Sequence, residues 1–140
     1  MMRSIIRVAI SAGALALLSA CGGSDAGTGV RASVTGTYQL STINQQSLPF
    51  TESSSGAVVK VTAGTLVAQS DGAFSETLTR STTPPGGATT TQTTTANGTF
   101  TVGNQVIVFT YAGSAGTALG SLIGNGVSIQ NGANSFEYKK

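Results

Sequence analysis

The fold class is indicated first by the stretch Gly98-Thr99-Phe100-Thr101-Val102-Gly103-Asn104-Gln105-Val106. Polar and apolar side chains alternate up to Val102, Gly103-Asn104 has the composition of a tight turn, and residues 105–111 form a run that is apolar on both faces. Alternation with a period of two is typical of a β-strand, because successive side chains point to opposite faces of a sheet. The stretch therefore predicts two antiparallel strands joined by a turn, of which the second is the most buried strand of the domain.

The same pattern continues on both sides of this hairpin. Asp71-Gly72 and Asn125-Gly126 are strong two-residue turn signals, and we expect their glycines to have left-handed backbones. No sustained helical periodicity follows Cys21. The sequence predicts an all-β domain, an antiparallel up-and-down meander of eight or nine strands that follows an N-terminal signal helix. Closure of such a meander into a small barrel removes its exposed edges.

Threonine and glycine dominate the strands around this hairpin. Every residue of 89–95 except Gln92 is Thr, and the high β propensity of Thr favours a strand here over a flexible or glycosylated segment. Asn97-Gly98 is consistent with a hairpin or with a bulge, and we favour a bulge or kink in one long strand. The glycines at 116, 120 and 124 have the spacing of a glycine zipper in membrane helices, but the surrounding apolar run is too short to span a bilayer, so a strand is predicted there too.

The alternation also predicts which side chains face the interior. The apolar residues expected to point inward are Tyr38, Leu40, Val59, Val61, Leu66, Phe74, Leu78, Phe100, Val106 and Val108. Phe109 and Tyr111 are expected on the opposite face, covered by the Leu48-Pro49-Phe50 segment or by Phe136.

Few residues in the chain could carry out chemistry. The absence of His excludes Ser-His-Asp and Cys-His arrangements and histidine metal ligands. Glu76 has the same parity as Phe74 and Leu78, but an outward Glu76 near a barrel mouth is favoured, because an unpaired buried carboxylate is costly. We therefore expect no enzyme, no catalytic residue, no metal site and no cofactor other than a covalent lipid.

The first 20 residues have the three regions of an export signal. Arg3 and Arg7 form the positive region, residues 8–17 form a short apolar region, and Leu18-Ser19-Ala20 leads to Cys21, the only cysteine. The apolar run is shorter than the about 20 residues that a spanning helix needs. One interpretation is a secretory signal cut near this point, which leaves Cys21 as a free thiol. The other is a lipoprotein signal.

Leu18-Ser19-Ala20-Cys21 resembles the lipobox of bacterial lipoproteins. The resemblance implies a diacylglycerol on the sulfur of Cys21, cleavage before this residue, and acylation, for example with palmitate, of the new amino group. Several acyl chains anchor a protein stably where one is marginal. Gly22 stands where an Asp would favour the inner membrane in enteric bacteria, so the expected location is the cell envelope, with the lipid anchor in the outer membrane and the periplasm as the compartment reached by export.

These features divide the chain into three parts. Residues 1–20 are the signal peptide, 21–32 a lipidated flexible tether, and 33–140 the β-barrel domain. Without Arg3 and Arg7, the basic and acidic side chains are equal in number. A nucleic-acid partner, which needs a basic face, is therefore not expected. The expected partner is a membrane, through the lipid.

Gly36-Thr37-Tyr38-Gln39-Leu40 resembles the Gly-x-Trp start of lipocalins, with Tyr in place of Trp. Residues 38–44, Leu48-Pro49-Phe50 and residues 98–106 are similar to small bacterial lipocalin-like lipoproteins. The resemblance implies a lipocalin-like barrel that binds a small apolar or amphipathic molecule. If the barrel binds a ligand, the inward-facing Tyr38 and Phe74 are the candidates for its wall, and otherwise they fill the core. The alternative is a structural or protein-interaction envelope lipoprotein with a packed barrel and no ligand. An eight-stranded barrel is wide enough for either its own side chains or one small ligand.

Overall fold

The computed structural model describes residues 34–52, 56–113 and 116–140, and within these ranges the chain forms ten β-strands. They are β1 (Gly36–Ile43), β2 (Gln46–Ser47), β3 (Phe50–Glu52), β4 (Val58–Ala68), β5 (Ala73–Thr83), β6 (Thr90–Gly103), β7 (Val106–Tyr111), β8 (Thr117–Ile123), β9 (Gly126–Asn131) and β10 (Asn134–Lys139). The predicted signal helix, Cys21 and the predicted tether lie outside the described residues. In the part that is described, no helix has the length and apolar character needed to cross a membrane.

The strands form an antiparallel meander that closes into an eight-stranded barrel. The order β1-β10-β9-β8-β7-β6-β5-β4 returns to its start, because β4 also pairs with β1 through Gly36↔Ala68 to Gln39↔Thr65. The short β2 and β3 lie in the connection between β1 and β4 and pair with the ends of those two strands. The predicted all-β meander and its closure are confirmed, with two short strands in addition to the eight of the barrel.

Tight turns set the register of the hairpins. Asn104 and Gln105 have φ of 50° and 67°, the double positive φ of the two-residue turn that matches strand twist. Gly72 has φ of 89°, as predicted, and its amide donates to the carbonyl of Gln69. The prediction for Gly126 is wrong. Gly124 has the positive φ (56°), while Gly126 begins β9.

The barrel interior contains buried side chains from all eight barrel strands. Of the residues predicted to face inward, Tyr38, Leu40, Val61, Leu66, Phe74 and Phe100 are buried. Leu78 is partly buried against this core, and Val59 is half-buried. The other buried hydrophobic residues are Val34, Ile43 on β1, Ala68 on β4 and, on the remaining strands, Ile107, Phe109, Tyr111, Ala118, Val127, Ile129, Phe136 and Tyr138.

The predicted faces of β7 are wrong. Ile107, Phe109 and Tyr111 are buried, whereas Val106 is 42% exposed and Val108 is half-buried on the outside. The two-residue turn at Asn104-Gln105 pairs Phe100 with Phe109, and directly opposed residues share a face. β7 is apolar on both faces, so its composition does not indicate which face is buried, and the face is set by the pairing with β6.

The segment rich in Thr is part of one long strand, as predicted. β6 has 14 residues, and its pairing with β5 continues without a shift from Thr90 to Thr99. The register changes instead in β1, between Leu40 and Thr42, and in β4, between Val61 and Ala63. Gly98 does not mark the bulge or kink expected at Asn97-Gly98, and a glycine is required there because of a close backbone contact. A Cβ at this position would lie 2.1 Å from the carbonyl oxygen of Thr110 on β7.

Candidate functional site

A buried carboxylate with two tyrosines lies inside the barrel. Glu76 on β5 is 7% exposed and accepts hydrogen bonds from tyrosines on two other strands. The hydroxyl of Tyr111 on β7 donates to Oε2 at 2.7 Å, and that of Tyr138 on β10 donates to Oε1 at 2.5 Å. Each carboxylate oxygen therefore has a donor from the protein itself.

The surroundings keep both tyrosines protonated. Burial, and after it the negative charge of Glu76, raises the pKa of Tyr111 and the pKa of Tyr138 well above the ordinary value of 10.0. Protonated hydroxyls can donate to a carboxylate, and hydrogen bonds of this charge-assisted kind are stronger than neutral ones. The three side chains thus form a hydrogen-bonded network that holds β5, β7 and β10 together through the interior.

The sequence did not predict this network. An outward Glu76 was favoured because a lone buried carboxylate is unfavourable, but the structure supplies two donors from strands distant in sequence. The signal available in the sequence was the spacing of two residues between Glu76 and the buried Phe74, which places both side chains on the same face of β5. Parity alone could not identify the donors, because the predicted face of Tyr111 was inverted.

The two predicted wall residues are buried in the barrel but are separated by β4. Tyr38 pairs with Leu66, and its hydroxyl donates to the carbonyl of Val34 at 2.7 Å. Phe74 pairs with Ala68, and its ring makes edge-to-face contacts with Phe109 and Tyr111, both at a centroid distance of 5.1 Å. These contacts are typical of core packing. A ligand-binding role for either residue stays a prediction, as does lipidation of Cys21, which lies outside the described residues.

Part of the sheet continues beyond the closed barrel. We call it the sheet extension; it consists of β3 and of residues 58–63, 78–83 and 90–96. β7 pairs with β6 only from Gly98 onward, so the extension is not closed by the other strands. Since Leu78 and Arg80 alternate with Glu76 along β5, their face of the extension continues the interior surface of the barrel.

This inner face combines apolar residues with one ion pair. Phe50 and Leu78 are partly buried against the core, as is Leu48, which lies just before β3. The guanidinium of Arg80 pairs with both oxygens of Glu52, at 3.0 Å and 3.3 Å, and also approaches the hydroxyl of Thr94. Both charged side chains are about one-third exposed (32% and 27%). The face is therefore a shallow, half-buried surface next to the barrel mouth.

The outer face of the extension carries pairs of hydroxyls. Thr77 pairs with Thr95 at 3.2 Å, Thr79 with Thr93 at 3.1 Å, and Thr83 with Thr89 at 2.7 Å. In these contacts the threonine hydroxyls hydrogen-bond each other. They do not involve the backbone amides and carbonyls on the side of β6 that faces away from β5. Among the described strands, none pairs with that side of residues 90–96.

The described acidic residues do not meet the requirements of a metal site. Within residues 34–52, 56–113 and 116–140, no three of His, Cys, Asp and Glu come together as metal ligands. Glu52 and Glu76 each have protein partners. No protein-family model, curated protein or solved structure matches this chain. The closed eight-stranded barrel is the architecture that the lipocalin resemblance implies.

Proposed function

We propose that this chain is a lipid-anchored protein of the bacterial cell envelope whose barrel is a packed module that acts through its surface. The observation that supports a packed module is the set of large side chains buried in the interior. Tyr38, Phe100, Phe109 and Tyr138 are among the largest fully buried side chains, and both oxygens of Glu76 are bonded within the protein. No buried side-chain polar atom of the described residues lacks a partner, so nothing in the interior requires a ligand.

The proposed anchor is a lipid on Cys21, at the outer membrane. It is supported by the order of Arg3 and Arg7, the apolar residues 8–17 and Leu18-Ser19-Ala20 before this cysteine. Cys21→Ala should prevent incorporation of a palmitate analogue and leave the signal peptide uncut, whereas the control Ser24→Ala should be labelled like the wild type. If the wild type is not labelled, and Cys21→Ala still resists alkaline washing of membranes, the anchor is wrong.

Replacement of Phe74 tests the packed interior. Phe74 is buried between two aromatic rings, so Phe74→Ala should reduce the free energy of unfolding by about 3–5 kcal/mol. Leu119→Ala is the matched control, because Leu119 is 58% exposed and should change stability by less than about 0.5 kcal/mol. The packed module also predicts that the wild type does not bind a hydrophobic dye. A small loss in Phe74→Ala together with dye binding by the wild type would support an open cavity instead.

The second candidate function is binding of a small apolar or amphipathic molecule. One observation favours it, namely the half-buried inner face of the extension, where Leu48, Phe50 and Leu78 lie beside the pair Arg80–Glu52. An apolar surface with a few placed polar groups is typical of small-molecule sites. Native mass spectrometry of the purified protein tests this candidate. A bound molecule that is retained by the wild type and lost in Leu78→Asp would support it, and an empty wild type would contradict it.

A further inference from the structure

The free edge of β6 is the largest unused backbone surface of the described sheet. We propose that it pairs with the same edge of a second copy of this chain, so that two barrels share one continuous sheet. Residues 90–96 pair with β5 on one side, and no described strand pairs with them on the other. An unpaired edge strand presents a row of amides and carbonyls that can hydrogen-bond another strand. The proposal does not depend on the lipid anchor.

The structure shows which residues of the edge would form the hydrogen bonds. The amide of Ala112 donates to the carbonyl of Asn97, so the backbone of Asn97 faces away from β5. In an antiparallel ladder, successive residues direct their amides and carbonyls to opposite sides. The outward backbone groups are therefore those of Thr91, Thr93 and Thr95. Their side chains lie on the outer face of the sheet, where Thr93 and Thr95 bond threonines of β5.

This geometry defines one register that uses the whole free edge. A two-fold axis at Thr93 places each Thr93 opposite its own copy and Thr91 opposite the partner's Thr95. The three pairs that result exchange about six backbone hydrogen bonds. Each of them opposes Thr with Thr on the outer face, and cross-strand Thr pairs are favourable. The hydroxyl pairs seen between β5 and β6 would thus continue across the interface.

The composition of the edge favours a second copy over other partners. Natural edge strands are commonly protected by Lys, Pro or bulges, and residues 89–97 contain no charged residue and no Pro. A charged partner would find no complementary charge, whereas two identical neutral edges do not repel each other. The other edge of the extension, β3, has only three residues, so a head-to-tail contact between β6 and β3 would be shorter. The symmetric contact therefore closes as a dimer.

Charge substitutions test both the contact and its register, with the full-length chain in detergent solution and its mass followed by sedimentation. The wild type should be a dimer. Thr91→Lys with Thr95→Lys puts like charges opposite each other and should raise the dissociation constant about tenfold or more. Thr91→Lys with Thr95→Glu puts opposite charges together and should restore dimerisation to within about threefold of the wild type. Thr99→Lys with Thr101→Lys is the matched control, because this exposed part of β6 is already paired with β7.

Disulfide formation provides an independent test of proximity. In the proposed register the two Thr93 Cα atoms are about 5.5 Å apart, a distance that a disulfide can span. Thr93→Cys should therefore form a covalent dimer on mild oxidation. Thr101→Cys should form no more covalent dimer than the wild type, in which Cys21 is the only cysteine. A monomeric wild type at about 100 μM, a Lys-Lys variant that still dimerises, or no preference for Cys at 93 would overturn the proposal. The proposal would also be overturned if the amides of Thr91, Thr93 and Thr95 were protected from hydrogen exchange in a monomer. A segment of the same chain would then cover the edge.

Discussion

Removal of the Glu76 carboxylate should destabilise the protein much more than removal of the whole network. Glu76→Ala leaves the hydroxyls of Tyr111 and Tyr138 buried without an acceptor, and each such group costs about 1–3 kcal/mol. The variant also loses part of a packed core, so the expected total is about 3–6 kcal/mol. Glu76→Gln keeps the shape but has one acceptor in place of two, and it should cost about 1–3 kcal/mol, because charge-assisted hydrogen bonds become neutral ones.

A triple variant distinguishes a coupled network from independent contacts. Glu76→Leu with Tyr111→Phe and Tyr138→Phe removes every partner and leaves an apolar core of similar volume. Such replacements are often close to neutral, so the triple variant should cost less than about 2 kcal/mol, below Glu76→Leu alone. Urea unfolding followed by far-ultraviolet circular dichroism measures these values. Glu137→Gln is the control, since its contact with Thr42 is only partly buried. Additive losses in the triple variant would refute the coupling.

The remaining predictions concern pH and backbone packing. The pKa of Tyr111 and the pKa of Tyr138 are raised in the folded state, so their contribution to stability is complete below pH 10 and is lost above it, as the unfolded tyrosines ionise. The free energy of unfolding, measured by urea titration, should fall above pH 10 by up to about 1.4 kcal/mol per pH unit for each of them; a Tyr138→Phe variant with the wild-type slope would contradict this explanation. Gly98→Ala places a Cβ 2.1 Å from the Thr110 carbonyl and should cost about 2 kcal/mol or more, whereas Gly103→Ala on the same strand meets no atom within 4 Å and should be nearly neutral in the same assay.

The sequence predicted those parts of the fold that depend on local signals. Alternation identified the strands, and Asp71-Gly72 was correctly placed as a turn with a left-handed Gly72. The errors arose where the local pattern fits two alternatives, namely the position of the turn before β9 and the buried face of β7. The turn after β6 lies at Asn104-Gln105, and the turn before β9 has its positive φ at Gly124. On a strand with one polar face, the composition shows which face is buried. Both faces of β7 are largely apolar, so its composition does not show this.

The candidate site was less predictable than the fold, because its partners come from distant parts of the chain. Tyr111 and Tyr138 are 35 and 62 residues from Glu76. Sequence alternation predicts which side chains of one strand point inward. It does not predict how the strands are aligned along the barrel axis, and so it does not show which inward side chains meet. The cost of burying Glu76 was judged for an isolated carboxylate, and the judgement was wrong because closure of the barrel provides its donors.

The arrangement of polar groups indicates where this protein has capacity for an interaction. Inside the barrel, the polar side chains are bonded to one another, and a ligand would have to displace existing contacts such as those of Glu76. On the outer face of the extension, threonine hydroxyls also pair within the chain. The backbone edge of residues 90–96 has no described partner strand, so pairing with another strand there would replace hydrogen bonds to water and break none among the described residues. Pairing at this edge would therefore displace no contact of the described residues, whereas a ligand in the interior would displace those of Glu76.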